Sequence, residues 1–196
     1  MAAPAVEGAA VAALRFVMTR VRNAAERSGR DPERIRVVAV TLGSLFIYAA
    51  GVPNLSMVEG VHNEKVANHL DNAVSSLGRN PLKVLVQVNT SGEASKSGID
   101  PSGCVELAKH VKLHCPNLLF SGLMTIGMPD YTSTPENFKT LSNCRTEVCK
   151  ALGLTEEQCE LSMGMSGDFE QSIEMGSTNV RIGSTIFGPR DYAKKQ

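Results

Sequence analysis

Apolar runs of strand length alternate with amphipathic helical patterns along most of this chain. The apolar runs cover residues 35–40, 54–61, 83–89, 118–127, 160–166 and 179–188. The segments predicted as helices, where apolar residues recur three and four positions apart, are 63–77, 101–114, 134–152 and 167–175. Asn63 is predicted to cap the first of these, and Gly78 and Gly153 to end two of them. A first helix is predicted from the apolar stripe Leu14, Val17, Met18, Val21, Ala24 and Ala25. Such alternation is typical of βαβ units, so we predict a single α/β domain with a parallel sheet over residues 1–196.

The ends of the predicted strands favour a barrel over a doubly wound sheet. A doubly wound dinucleotide-binding sheet carries G-x-G-x-x-G after its first strand, whereas Val40 is followed by Thr41-Leu42-Gly43. Glycine and hydroxyl residues follow the last two strands instead, and (β/α)8 barrels commonly bind phosphate at that position.

Charge and cysteine content exclude several classes of partner. The chain has 20 basic and 20 acidic residues, which gives no electrostatic reason to expect nucleic acid or an anionic membrane. The uncharged run 42–50 is too short to span a bilayer, which takes about 20 residues. Five cysteines, without a C-x-x-C, suit a reducing compartment and argue against a disulfide scaffold or a zinc site.

The N-terminal segment bears on localisation. Glu7 comes early and no basic region precedes the apolar residues, so we expect no secretory signal. Arg15, Arg20 and Arg22 leave a mitochondrial or plastid transit peptide open, although a folded helix is preferred. We therefore expect a cytoplasmic protein, with the two organelles as alternatives.

Two turns near the C-terminal end form the strongest candidate site. Ser166-Gly167 stands at a predicted strand-to-helix turn, and Gly183-Ser184-Thr185 forms a similar turn one unit later. Hydroxyls and free N–H groups there would hold a phosphate group. Asp168 and Glu170 count against this, because they already complement the helix dipole. The alternative is that Ser166 only caps its helix and Gly183 only packs.

Arg181 is the most unusual residue of this region, because it interrupts the apolar strand between Val180 and Ile182. A charged side chain in such a strand must reach a polar site or pair with an acid. Two interpretations stay open: Arg181 faces the ring of a phosphorylated ligand, or it forms a salt bridge at the end of the barrel.

Other polar residues carry weaker hypotheses. Barrel active sites collect residues at strand ends, which here include Gln87, Asn89, Met124 and Thr125; they could equally be ordinary polar ends. His110 and His114 are four positions apart on one predicted helix, but no third ligand is evident. An exposed helix face is the preferred interpretation of this pair, and no metal site is predicted.

Four stretches together resemble the pyridoxal phosphate homeostasis proteins, single-domain relatives of the N-terminal barrel of alanine racemase. They read RIRVVAV, KVLVQVNTSGEASKSG, PNLLFSGLMTIG and ELSMGMSGDFEQSIEMGSTNVRIGSTIFGPRDY. The resemblance covers most of the chain from Arg34 to Lys194. It implies a (β/α)8 barrel of the alanine racemase N-terminal type and non-catalytic binding of pyridoxal 5'-phosphate (PLP) for delivery or storage.

The resemblance also assigns candidate cofactor-binding residues. Ser166, Gly183 and Ser184 match the phosphate-binding turns, and Gly167 follows Ser166 in the first of them. Arg181 matches the arginine that faces the pyridine nitrogen. An arginine there keeps the nitrogen unprotonated and weakens the cofactor as an electron sink, which suits a carrier better than an enzyme.

One segment departs from the family pattern. The family's first strand ends in V-S-K-T-x-P, whose lysine forms a Schiff base with PLP; here no lysine occurs between Glu33 and His62. The family landmarks G-E-N-Y and H-F-I-G-x-L-Q are also missing, and residues 41–50 form an atypical junction. About two βα units, roughly 60 residues, are lost by this comparison. We expect an incomplete barrel of about six strands instead of eight, and PLP binding that is non-covalent or weak.

Three functions follow as hypotheses. The first is a PLP-binding homeostasis protein that acts as a carrier and has lost covalent binding. The second is an enzyme acting on a phosphorylated ligand, which needs a base or nucleophile near Ser166 and Ser184. The third is a non-binding remnant that associates with full-length copies. We expect a monomer or a weak homo-oligomer, in which the strands that flank the junction either pair directly or leave open edges.

Overall fold

The computed structural model describes residues 4–39, 55–92, 98–127 and 134–188. The predicted junction at 41–50 lies outside these residues. The helices are α1 (Pro4–Arg27), α2 (Glu64–Ser76), α3 (Cys104–His114), α4 (Thr134–Leu152), α5 (Phe169–Glu174) and α6 (Ser184–Phe187). The strands are β1 (Arg36–Ala39), β2 (Met57–Val61), β3 (Leu82–Gln87), β4 (Leu118–Met124), β5 (Glu160–Ser162) and β6 (Asn179–Ile182). In the described parts of the chain no helix is long and apolar enough to cross a membrane.

The described residues divide into two compact units. The first contains residues 4–39 and 164–188, and the second contains the described residues between 55 and 163. The prediction of one domain over residues 1–196 stays a prediction.

In the first unit, β1 and β6 pair in parallel, with Val38 opposite Arg181. Helix α1 packs against α5 and α6. The buried apolar side chains of this unit are Val17, Val21, Ala24, Ala25, Ile35, Phe169, Ile173, Val180, Ile182 and Ile186. The core is therefore formed by one stripe of α1 and the segment from α5 to α6, which come from opposite ends of the sequence.

In the second unit, four parallel strands pair in the order β5-β4-β3-β2. The central strand β3 is buried at five of its six positions, as expected for a parallel strand covered on both faces. Where β4 meets β5, a Cβ on Gly122 would lie 2.1 Å from the Glu160 carbonyl oxygen. Only glycine allows this approach, and its φ of +151° also disfavours other residues.

Local signals explain several element ends. The side chain of Asn63 accepts a hydrogen bond from the Val66 N–H and caps α2, as predicted. Gly29, Gly78 and Gly153 follow α1, α2 and α4 with φ of 67°, 61° and 65°. Glycine at this position closes a helix in the left-handed conformation without a Cβ penalty.

Three details of the sequence prediction are wrong. The last strand ends at Ile182, and residues 184–187, which were predicted to continue it, form α6. Gly183 separates the two, and the apolar run 179–188 therefore serves two elements. The helix predicted at 167–175 begins only at Phe169. Leu14 and Met18 are 39% and 47% exposed, because α1 buries a narrower stripe than its apolar pattern suggests.

Candidate functional site

The turn between β5 and α5 has a conformation that its sequence specifies closely. Gly164 has φ +93°, and a Cβ there would lie 2.1 Å from the Ser172 Oγ, so no other residue fits. The Asp168 carboxylate accepts a hydrogen bond from the Met165 N–H at 2.6 Å and closes the turn. Ser166 is half-buried and Gly167 is exposed at its outer side. Both residues can therefore be reached from solvent.

The turn between β6 and α6 lies directly against the turn between β5 and α5. The N–H of Thr185, in the first turn of α6, donates to the Ser166 Oγ over 3.4 Å, a long hydrogen bond. Ser184 is exposed and Gly183 is half-buried. The Ser166 hydroxyl therefore contacts α6, the helix that follows β6. Asp168 holds the N-cap position of α5, and the choice between phosphate binding and a capping or packing role stays a prediction.

Arg181 connects the two turns through its backbone. It lies in β6, two residues before Gly183, and its N–H donates to the Gly164 carbonyl at 3.0 Å. Its side chain is buried, with the residue 8% exposed. The choice between a ligand-facing arginine and a structural salt bridge stays a prediction.

Asp168 and Glu170, the two acids that counted against anion binding, both have hydrogen-bond or ion-pair partners. Asp168 accepts the Met165 N–H, and Glu170 forms a two-point ion pair with Arg20 of α1. A second arginine of α1, Arg27, pairs with Glu174 at the other end of α5. Sequence reasoning missed Arg20, because the 150 positions between it and Glu170 hide the contact.

The other polar strand ends are satisfied within the second unit. Gln87 and Thr125 are buried, and the Thr125 and Thr90 hydroxyls share a hydrogen bond of 2.8 Å. Ser162, at the end of β5, donates to the Glu59 carboxylate at 2.7 Å. Met124 is also buried and Asn89 is half-buried. The choice between a role in binding and an ordinary structural role stays a prediction for Gln87, Asn89, Met124 and Thr125.

Of the two histidines of α3, His114 is exposed as predicted, whereas His110 is half-buried and contacts α2. The His110 Nε2 lies 2.8 Å from the Asn68 Oδ1, and the rings of His110 and His114 are 5.3 Å apart. Among the described residues, no group of three or more His, Cys, Asp or Glu side chains is arranged to hold a metal ion. The five cysteines, which are all described, are free and buried.

Comparison with known proteins identifies relatives of this chain. The family model described as alanine racemase, N-terminal domain, matches residues 2–191. The chain is 53% identical over 148 residues to the pyridoxal phosphate homeostasis protein of Mus musculus, in an alignment that covers 74% of this chain and 54% of the relative. The chain thus spans about half the length of the curated relatives it matches.

Solved structures match the fold. The crystal structure of an unknown protein from Bifidobacterium adolescentis matches with a TM-score of 0.82 and 25% identity, over 95% of this chain and 98% of that chain. PipY of Synechococcus elongatus, with PLP bound, matches with a TM-score of 0.61 and 20% identity, over 86% of this chain and 100% of that chain. The barrel type predicted from the sequence is confirmed, and the barrel is incomplete: six strands lie in the described residues, where a full barrel has eight.

Proposed function

Because the chain belongs to the alanine racemase N-terminal domain family, and within it to the pyridoxal phosphate homeostasis proteins, we propose that it binds PLP through the phosphate group without a covalent bond. In this proposal it is a non-catalytic carrier or buffer in PLP homeostasis. The family model describes part of an enzyme, while the curated relatives are named homeostasis proteins. PipY, which shares the fold, has been solved with PLP bound.

The contact between Thr185 and Ser166 carries the proposal. Its 3.4 Å length leaves the Thr185 N–H and the Ser166 hydroxyl weakly satisfied in a place that solvent reaches. Phosphate oxygens accept charge-assisted hydrogen bonds that are shorter and stronger than this one. A phosphate group between the turns would accept hydrogen bonds from the Thr185 N–H and from the Ser166 and Ser184 hydroxyls. Gly167 and Gly183 would let the backbone approach it closely.

Arg181 supplies the second part of the proposed site. When bound, PLP offers an electrophilic carbonyl and an electron-withdrawing ring. A guanidinium beside the ring nitrogen donates a hydrogen bond and carries no removable proton at neutral pH, so it holds that nitrogen unprotonated. The ring then withdraws electrons poorly, which supports the proposed carrier role and the absence of catalysis.

The first strand provides no amine for covalent attachment. Strand β1 consists of Arg36, Val37, Val38 and Ala39, and the sequence contains no lysine from residue 34 to residue 61. Of the lysines considered for this role, Lys65 and Lys83 are exposed on α2 and β3, and Lys96 lies outside the described residues. A covalent link needs an amine held next to the carbonyl, so we propose that binding is reversible and relies on the phosphate group.

The remaining expectations belong to the same proposal. Equal numbers of acidic and basic residues support a small-molecule partner rather than nucleic acid or a membrane. A monomer or weak homo-oligomer in the cytoplasm, with mitochondria or plastids as alternatives, completes it. An enzyme would need a base or nucleophile beside the turns, whereas the two carboxylates that follow Ser166 in the sequence, Asp168 and Glu170, already hold partners.

Binding of PLP should be compared with binding of pyridoxal, which lacks the phosphate group. Equilibrium dialysis at fixed ionic strength is expected to show saturable PLP binding that inorganic phosphate displaces, and much weaker binding of pyridoxal. Equal binding of both compounds would contradict a phosphate-directed site. No binding of either would favour the remnant that acts by association, and conversion of amino acids in the presence of PLP would favour the enzyme.

A further inference from the structure

The ion pair between Arg20 and Glu170 is geometrically well defined. The Nε and Nη2 of Arg20 donate to the two carboxylate oxygens of Glu170 at 3.2 and 3.1 Å. The guanidinium carbon also lies 4.6 Å from the centre of the buried Phe169 ring. The side chains of Arg20 and Glu170 are only 33% and 36% exposed. A two-point pair that also stacks on a ring holds both charges in one arrangement.

The position of Glu170 makes its charge relevant to the proposed phosphate site. Glu170 lies in the first turn of α5, four residues after Ser166, a span of at most about 14 Å along the chain. The chain turns back over this span, because the Phe169 N–H donates to the Met165 carbonyl at 2.9 Å, so Glu170 is nearer to the turn than the extended span. Without compensation, a carboxylate within the screening length of about 10 Å would repel a phosphate dianion. The other nearby acid, Asp168, already accepts the Met165 N–H.

We propose that Arg20 neutralises Glu170 and so preserves the affinity of the Ser166–Ser184 site for a phosphate group. This inference rests on the proposed function. Arg20 is a positioning residue in this scheme: it acts through Glu170 and does not touch the ligand. Helix α1 then contributes to binding from the opposite end of the sequence, although it carries none of the residues matched to the phosphate turns.

A second ion pair offers a matched control. Arg27 and Glu174 join the same two helices at 2.9 Å, but at the end of α5 that is farther from Ser166. Their side chains are 53% and 43% exposed, so solvent screens them more strongly. Replacing Arg27 by methionine removes an α1–α5 contact of the same type without leaving a charge beside the turns.

The competing explanation is that Arg20 only fastens α1 to α5. The two explanations differ in the effect of neutralising Glu170. If charge matters, Arg20→Met weakens PLP binding roughly three- to tenfold, whereas Glu170→Gln binds at least as tightly as the wild type. The double variant then regains the wild-type affinity. If fastening matters, Arg20→Met, Glu170→Gln and the double variant all weaken binding.

The test measures PLP affinity for the wild type, Arg20→Met, Arg20→Lys, Glu170→Gln, the double variant and Arg27→Met, at low salt and at about 0.3 M salt. We expect a loss of PLP affinity only in Arg20→Met, rescue in Arg20→Lys, no loss in Arg27→Met, and a smaller deficit of Arg20→Met at high salt.

Thermal unfolding checks that each variant is folded. If Arg20→Met does not fold, the PLP affinity of Glu170→Gln alone decides between the two explanations. A wild type that binds PLP, with equal losses in Arg20→Met and Glu170→Gln, overturns this inference alone. A wild type that does not bind PLP overturns it together with the proposed function.

Discussion

Polar residues follow the strands in both units, but their hydrogen bonds differ. In the second unit, Ser162 bonds Glu59 at 2.7 Å and Thr125 bonds Thr90 at 2.8 Å, and both Ser162 and Thr125 are buried. In the first unit, Ser166 and Thr185 meet at 3.4 Å in a place that solvent reaches. A binding site needs donors that a ligand can satisfy better than the protein does. The comparison therefore supports the proposed binding site in the first unit, and the polar strand ends of the second unit are the reference against which it can be tested.

The most damaging change to the first unit is expected at Gly164. A Cβ there would meet the Ser172 side chain, and the φ of +93° adds backbone strain. Gly164→Ala should lower the free energy of unfolding by roughly 2–4 kcal/mol and abolish PLP binding. Urea unfolding and equilibrium dialysis measure the two effects.

Gly176 provides the control for that substitution, because its φ is +102° but a Cβ there would meet nothing within 4 Å. Gly176→Ala should cost only about 1 kcal/mol, from strain alone. Equal losses in the free energy of unfolding at the two glycines would show that the close approach at Gly164 does not contribute to stability.

In the second unit, Ser162→Ala should affect stability and leave binding unchanged. The substitution removes a buried hydrogen bond to a carboxylate, which is worth roughly 1.5–3 kcal/mol. Ser76→Ala, at an exposed serine of α2, is the control and should cost less than about 0.5 kcal/mol. A large loss of PLP affinity in Ser162→Ala would break the division between a structural unit and a binding unit.

Ser166→Ala should have the reverse effect. Because the bond to Thr185 is long, its loss should change the free energy of unfolding by less than about 0.5 kcal/mol. Loss of a hydroxyl that donates to a phosphate oxygen should weaken PLP binding about tenfold. Ser121→Ala in β4 serves as the control for binding. Unchanged PLP affinity in Ser166→Ala would contradict the proposed phosphate site.

The smallest expected effect concerns pH in the second unit. Burial, with the Asp71 carboxylate as a second cause, raises the pKa of the Cys115 thiol from 9.0 to about 11. The folded state thus favours the protonated thiol, so the contribution to stability is present below pH 9 and is lost as the pH rises to about 11. Urea unfolding between these pH values should show a smaller loss for Cys115→Ala than for the wild type; parallel losses would exclude the thiol.

The sequence predicted the regular elements well, because strand and helix periods are local properties. Asn63 capped its helix as predicted, and glycines closed α1, α2 and α4. The exception, α6, is four residues long and apolar, so its pattern could not be separated from that of the preceding strand.

The residues of the candidate site could be proposed from the sequence, whereas their contacts could not. Ser166, Gly183 and Ser184 could be proposed from turn chemistry and family resemblance. The bond from Thr185 to Ser166 and the pair Arg20–Glu170 join residues 19 and 150 positions apart, and only the packing of α1 and α6 creates them. The acids beside the turns appeared unfavourable for this reason, since their partners were not visible in the sequence.

The central claim is that this chain keeps a phosphate site and lacks the covalent anchor. Incubation with PLP, reduction with borohydride and peptide mapping by mass spectrometry test it most directly, with dialysis of an unreduced sample in parallel. We predict reversible, phosphate-dependent binding that dialysis removes, and no lysine modified in stoichiometric yield. A single stoichiometric adduct on one lysine would contradict the account.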